Sequence, residues 1–183
     1  MTLLYEPDQN RFRMPAKAIR FMNILDIPMS GGCQCGAIRY HETCFFDSAH
    51  ICHCHMCQKA VGNAFAALVA APSNAFQWTR GKPTTWRSSQ NVERGFCWDC
   101  GTPLFYLDAN EDRIFLTIGS VDKPERFSPK RQVGIEGRIG WFNTLHQVAD
   151  TGETEKPSQA EWAAAIKVSN RQHPDHDTDN WLT

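Results

Sequence analysis

Seven of the eight cysteines fall in three short runs: Cys33-Gln34-Cys35-Gly36, Cys52-His53-Cys54-His55-Met56-Cys57 and Cys97-Trp98-Asp99-Cys100-Gly101. Sulfurs two or three residues apart converge on one ion, because a short loop curls around it, and tetrahedral zinc held by thiolates is the chemistry such spacing serves. Such knuckles often need a residue at positive φ just after the second ligand, and Gly36 and Gly101 stand there. We therefore expect Cys33, Cys35, Cys97 and Cys100 to form one saturated, structural site, which staples two distant parts of the chain so that metal binding becomes folding free energy. Cys52, Cys54 and Cys57 lack a second pair to close them. Three thiolates on one ion leave a position open, where a metal does chemistry. His50, His53, His55, Cys44 or a water are the candidates for that fourth position.

Four disulfides are the competing use of eight cysteines. They belong to exported chains, and cysteines two apart do not bridge each other comfortably. Leu3-Leu4-Tyr5 runs directly into Glu6-Pro7-Asp8, so no signal-peptide h-region is expected and the chain reads as cytoplasmic. No apolar run approaches the length of a membrane span. A net charge of −1 over 183 residues gives no electrostatic reason to expect nucleic acid or a membrane surface as partner.

The elements that must carry these ligands are expected to be strands, in an all-β, sandwich-like domain of antiparallel sheets with one C-terminal helix. Ala37–Glu42, Ala64–Ala70, Thr84–Ser88, Pro103–Leu107, Arg113–Ile118 and Gln132–Ile135 read as strands, and Gly81-Lys82-Pro83 and Ala109–Asp112 as turns. Residues 1–28, broken by Pro7, Pro15 and Pro28, are expected to be a poorly ordered extension or the product of a misassigned start, with the domain over 29–150. Within 151–183, Ser158-Gln159-Ala160-Glu161 predicts a capped helix whose apolar side is Trp162, Ala163, Ala165, Ile166 and Val168. The polar stretch from Arg171 to Thr183 reads as a loose tail.

The three cysteine runs with their flanks, Gly31 to Tyr40, Cys52 to Gly62 and Arg94 to Leu104, resemble the glutathione-dependent formaldehyde-activating enzyme family, whose superfamily includes centromere protein V. The likeness runs from about 30 to 150. It implies a β-tent fold, two zinc ions and a carbon–sulfur lyase. It also implies that the ligands matching Cys33, Cys35, Cys97 and Cys100 hold a structural zinc. Those matching Cys52, Cys54 and Cys57 would then hold a catalytic zinc, whose open position takes the glutathione sulfur. Cys54 is the ligand we single out as catalytic, and Lys59 and Arg94 are candidate anchors for the carboxylates of glutathione or for a developing oxyanion. The expected partners are glutathione or another small thiol and a small aldehyde, joined as S-(hydroxymethyl)glutathione or a similar adduct. Two other readings compete: a protein that binds a thiol or its adduct on zinc without catalysis, and a zinc-stapled interaction module.

Overall fold

A computed structural model describes residues 23–152 and 157–179. Twelve strands and two α-helices are found among these residues. A seven-stranded sheet forms the larger wall, in the order β12 (Arg131–Val133), β5 (His50–Cys52), β6 (Ala66–Pro72), β11 (Arg113–Thr117), β10 (Pro103–Asp108), β9 (Val92–Phe96), β8 (Thr84–Arg87). All its pairings are antiparallel except β12 with β5. A three-stranded antiparallel sheet faces it, in the order β2 (Met29–Gly32), β3 (Arg39–Glu42), β7 (Phe76–Arg80).

The core lies between the two sheets. Alternation of side chains along a strand puts Tyr40 and Glu42 on one face of β3, both fully buried. Tyr40 meets Phe76 and Trp78 of β7, and they join Val69, Leu104 and Leu116 of the larger sheet in one apolar cluster. The fold is therefore mostly β and sandwich-like, as expected. No helix among the described residues is long and apolar enough to cross a membrane.

Several expectations need correction. The folded chain begins before residue 29: β1 (Ile24–Leu25) pairs with β4 (Phe45–Phe46), and Ile27 packs on the core. The rest of the expected extension, residues 1–22, lies outside the described residues. The C-terminal helix, α2, spans Ala160–Ser169, but Gln159 is its N-cap residue and makes no side-chain capping bond. Pro157–Gln159 is instead a short 3-10 turn, so Ser158 does not cap. Of the apolar side of α2 only Ala163 is buried, while Trp162, Ile166 and Val168 are exposed.

The polar tail is not loose over 171–179. Arg39, buried on β3, donates to both oxygens of Asp122 at 2.8 and 2.6 Å, and its Nη2 also reaches Asp177 at 2.9 Å. Ser30 Oγ donates to Asp177 at 2.6 Å. The His173 amide donates to the Gln34 carbonyl at 2.7 Å, and Arg80 donates to the Thr178 carbonyl. A buried guanidinium has to be paired, and part of that pairing comes from a segment more than a hundred residues away. That makes the tail part of the fold.

Candidate metal centres and the adjoining cavity

The two sheets meet at the first group of thiols. Cys33 follows β2, Cys97 follows β9, and Cys35 and Cys100 sit in the loops after them. Both loops turn through a glycine at positive φ, Gly36 at +79° and Gly101 at +75°. A Cβ at Gly36 would also overlap the His173 ring, so the docked tail presses directly on this knuckle. The four sulfurs all lie within 4.8 Å of one another, with Cys33–Cys35 at 3.5 Å and Cys35–Cys97 at 3.8 Å. Sulfurs at the corners of a tetrahedron about 2.3 Å from a central ion stand about 3.8 Å apart. The donor set and its spacing fit zinc.

The second group is built on a different scaffold. Cys52 ends β5, and Cys54 is the N-cap of a helix the sequence reading missed, α1 (His55–Val61), which carries Cys57 in its first turn. The Cys57 amide donates to Cys54 Sγ at 3.4 Å. These three sulfurs also lie within 4.8 Å of one another, with Cys52–Cys54 at 3.5 Å. No fourth His, Cys, Asp or Glu among the described residues joins them.

None of the local candidates for a fourth ligand, His50, His53, His55 and Cys44, is grouped with the three sulfurs, although His53 Nδ1 is buried without a hydrogen-bond partner. His50 Nδ1 bonds the Ser48 carbonyl at 2.8 Å. His53, fully buried, bonds Gln132 Oε1 through Nε2 at 2.8 Å and packs edge-on to Phe142. Cys44 borders a separate cavity with Ile24 and Phe46. Gln58 fastens the loop by donating to the carbonyls of His53 and Gly137 at 2.6 and 2.7 Å. The segment after β12 thereby holds the outer side of the three-sulfur loop.

Within each group the thiols differ. Burial raises Cys33, Cys35 and Cys57, and it pushes Cys52 up to about 12. Burial also acts on Cys54, but the Cys57 amide, the neighbouring thiols and the Arg94 charge outweigh it and hold Cys54 below the ordinary thiol range. In the same way bonds from Thr102 and the Cys35 amide overcome burial at Cys100 and bring it down to about 6. One thiol in each group, Cys54 and Cys100, is thus held below the ordinary range.

A cavity of about 520 Å³ adjoins the three-sulfur group. Ala66, Leu68, Val61 and Tyr106 line it and also pack against the cysteines. Both cations singled out from the sequence line it as well. Arg94 on β9 donates through Nη2 to Cys57 Sγ at 3.6 Å and through Nε to Ser88 Oγ at 3.3 Å. Its guanidinium lies over the Tyr106 ring, 5.7 Å from the centroid. Lys59 is exposed on the last turn of α1.

Sequence reasoning missed the aromatic wall of this cavity. Tyr106 stacks on Phe115 at 4.4 Å, and its hydroxyl is held protonated by burial. The signal available was the alternation in β10, which sends Phe105 and Leu107 into the core and Tyr106 to the opposite face, against the thiols.

A protein-family model, glutathione-dependent formaldehyde-activating enzyme, matches residues 28–136. The chain belongs to that family. Among solved structures, a Rhodobacter sphaeroides protein of known crystal structure is similar at 20% identity, over 57% of this chain and 100% of that one, with a TM-score of 0.48. No curated protein matched the chain in sequence.

Proposed function

We propose that this chain is a zinc-dependent carbon–sulfur lyase that forms or cleaves a thiol–aldehyde adduct such as S-(hydroxymethyl)glutathione. The observation that supports this most is the contrast between the two thiol groups. One is a set of four beside the core. The other is a set of three, with no further donor among the described residues, next to a cavity with two cations. On this reading Cys33, Cys35, Cys97 and Cys100 hold the structural ion, and Cys52, Cys54 and Cys57 hold the catalytic one. A zinc ion held by Cys52, Cys54 and Cys57 would supply Lewis-acid chemistry that favours the ionised form of a substrate thiol.

In the adduct-forming direction the sulfur lone pair attacks the carbonyl carbon and a C–S bond forms. The C=O π pair moves to oxygen, which takes a proton, and the reverse sequence cleaves the bond. Deprotonating a thiol of pKa about 8.5 at pH 7 gains roughly 30-fold at most, and the lowered basicity returns part of that. The rest must come from orientation and from stabilising charge on oxygen. Arg94 is fixed by Ser88 and Cys57 and lines the cavity, as does Lys59 on α1. We assign these two to the carboxylates of the thiol or to the developing oxyanion. We place the protein in the cytoplasm, where thiols stay reduced and free to bind metal.

Stopped-flow mixing of zinc-loaded protein with glutathione and formaldehyde tests the assignment. Adduct formation faster than the uncatalysed background supports it. A rate equal to background, with thiol binding retained, leaves a thiol-binding protein and removes the enzyme reading for this pair.

A further inference from the structure

The lining of the cavity beside Cys52, Cys54 and Cys57 bears on which adduct it takes, and the assignment of that adduct rests on the function proposed above. Lys59 and Arg94 supply two positive charges, and no Asp or Glu is among the residues that line the cavity. Trp86, Phe96 and Tyr106 give it three aromatic residues, while the Phe105 ring packs against Trp78 in the core. Trp86, on the edge strand β8, is 60% exposed, so much of its indole awaits cover.

A carboxylate matches the two cations. An ammonium group entering the same space finds no carboxylate partner, and peptide groups set against aromatic rings lose their hydrogen bonds to water. The two heavy atoms of formaldehyde need only about two water volumes, roughly 60 Å³. A formaldehyde unit thus fills little of a space of about 520 Å³, and cover for the aromatic lining has to come from the rest of the adduct.

We infer that the site takes a thiol–carbonyl adduct that carries a carboxylate and an aryl-sized apolar group, in preference to a peptide adduct that also brings an ammonium group. The bond changes are those of hemithioacetal formation. The S–C bond forms, the carbonyl oxygen gains the proton that the thiol gave up, and nothing is oxidised or reduced. The ring can enter with the thiol or with the carbonyl compound.

Calorimetry on the zinc-loaded full chain separates these sources. In the thiol arm the probes are mercaptoacetate, 2-mercapto-3-phenylpropanoate, benzyl mercaptan and glutathione. In the carbonyl arm mercaptoacetate is titrated with formaldehyde or benzaldehyde present. The aryl acid is expected to bind at least about tenfold tighter than mercaptoacetate and than benzyl mercaptan if the ring belongs to the thiol. The benzaldehyde adduct is expected to exceed the formaldehyde adduct by a similar factor if it belongs to the carbonyl compound.

Trp86→Ala is expected to bring whichever ratio is found back toward one, and a ratio that survives this change contradicts the assignment to this wall. Equal affinities in both arms, or glutathione binding as tightly as the aryl acid, overturn the inference and leave the proposed function standing. If no thiol binds zinc-loaded protein, the proposed function itself fails, and the inference with it.

Discussion

Glu42 offers a test of the fold that is independent of the metal sites. Its carboxylate is fully buried on β3, in the face that carries Tyr40, and neither oxygen has a hydrogen-bond partner. Burial raises its pKa from 4.5 to about 7, and the nearby amides of Cys44 and Thr43 offset only part of that. A carboxyl group whose folded-state pKa lies above its unfolded value favours the folded state below the unfolded value. That contribution is lost as pH rises through the interval, here from about 4.5 to about 7. The interval of about 2.5 units corresponds to roughly 3 kcal/mol lost once both states are ionised, with about 2 kcal/mol of it already gone at pH 6.

Glu42→Gln removes the titration. The stability of the variant minus that of the wild type is therefore expected to rise by about 1.3 kcal/mol between pH 6 and pH 8. For a chain of this size that is a gain of roughly 3–5 °C in relative Tm. Urea unfolding of the zinc-loaded proteins across this range measures it, and the comparison at each pH cancels the proton dependence of the thiols. Parallel stability curves for the two proteins would refute the argument, because they would mean that Glu42 is solvated or paired in the folded state.

Further outcomes follow from the same physics. Cys54→Ser is expected to abolish thiol binding in calorimetry while the far-UV circular dichroism stays native, whereas Cys97→Ser, at a fully buried position in the core, is expected to unfold the domain. If the two behave alike, the division into structural and catalytic groups is wrong. Asp122→Ala strips the main partner from a guanidinium whose side chain is 4% exposed and is expected to cost about 3–5 kcal/mol in denaturant unfolding. Asp177→Ala removes a carboxylate that is 54% exposed and is expected to cost about 1 kcal/mol or less. Equal losses for the two would contradict the ranking.

The two thiol clusters were legible because their information is local: the cysteines of each run stand two or three residues apart, and a glycine follows two of the three runs. The strands at Ala66–Pro72, Pro103–Asp108 and Arg113–Thr117 were legible for a similar reason, since each holds a run of consecutive apolar residues. The strand at Val92–Phe96 was not, because Glu93, Arg94 and Gly95 leave it only two apolar residues, and the one at Phe76–Arg80 was passed over although Phe76-Gln77-Trp78-Thr79 alternates. The helix over His55–Val61 is only seven residues long, and its first turn consists of ligand-type residues, so the cysteine spacing masked the helical signal. The docking of the tail was hidden for a different reason. Arg39, Asp122 and Asp177 are each ordinary polar residues in sequence, and only the fold brings them to one point. Ser158 shows the converse: a good local capping pattern lost to a 3-10 turn beginning at Pro157.

The central claim is that the seven thiols divide into a closed group of four and an open group of three. Zinc analysis together with zinc-edge X-ray absorption, before and after adding a thiol ligand, tests it most directly. The expected result is two zinc ions per chain and a mean of about 3.5 sulfurs per ion, seven shared by two, rising to about 4 with thiol bound. One zinc per chain, or a sulfur number that thiol does not change, would contradict it.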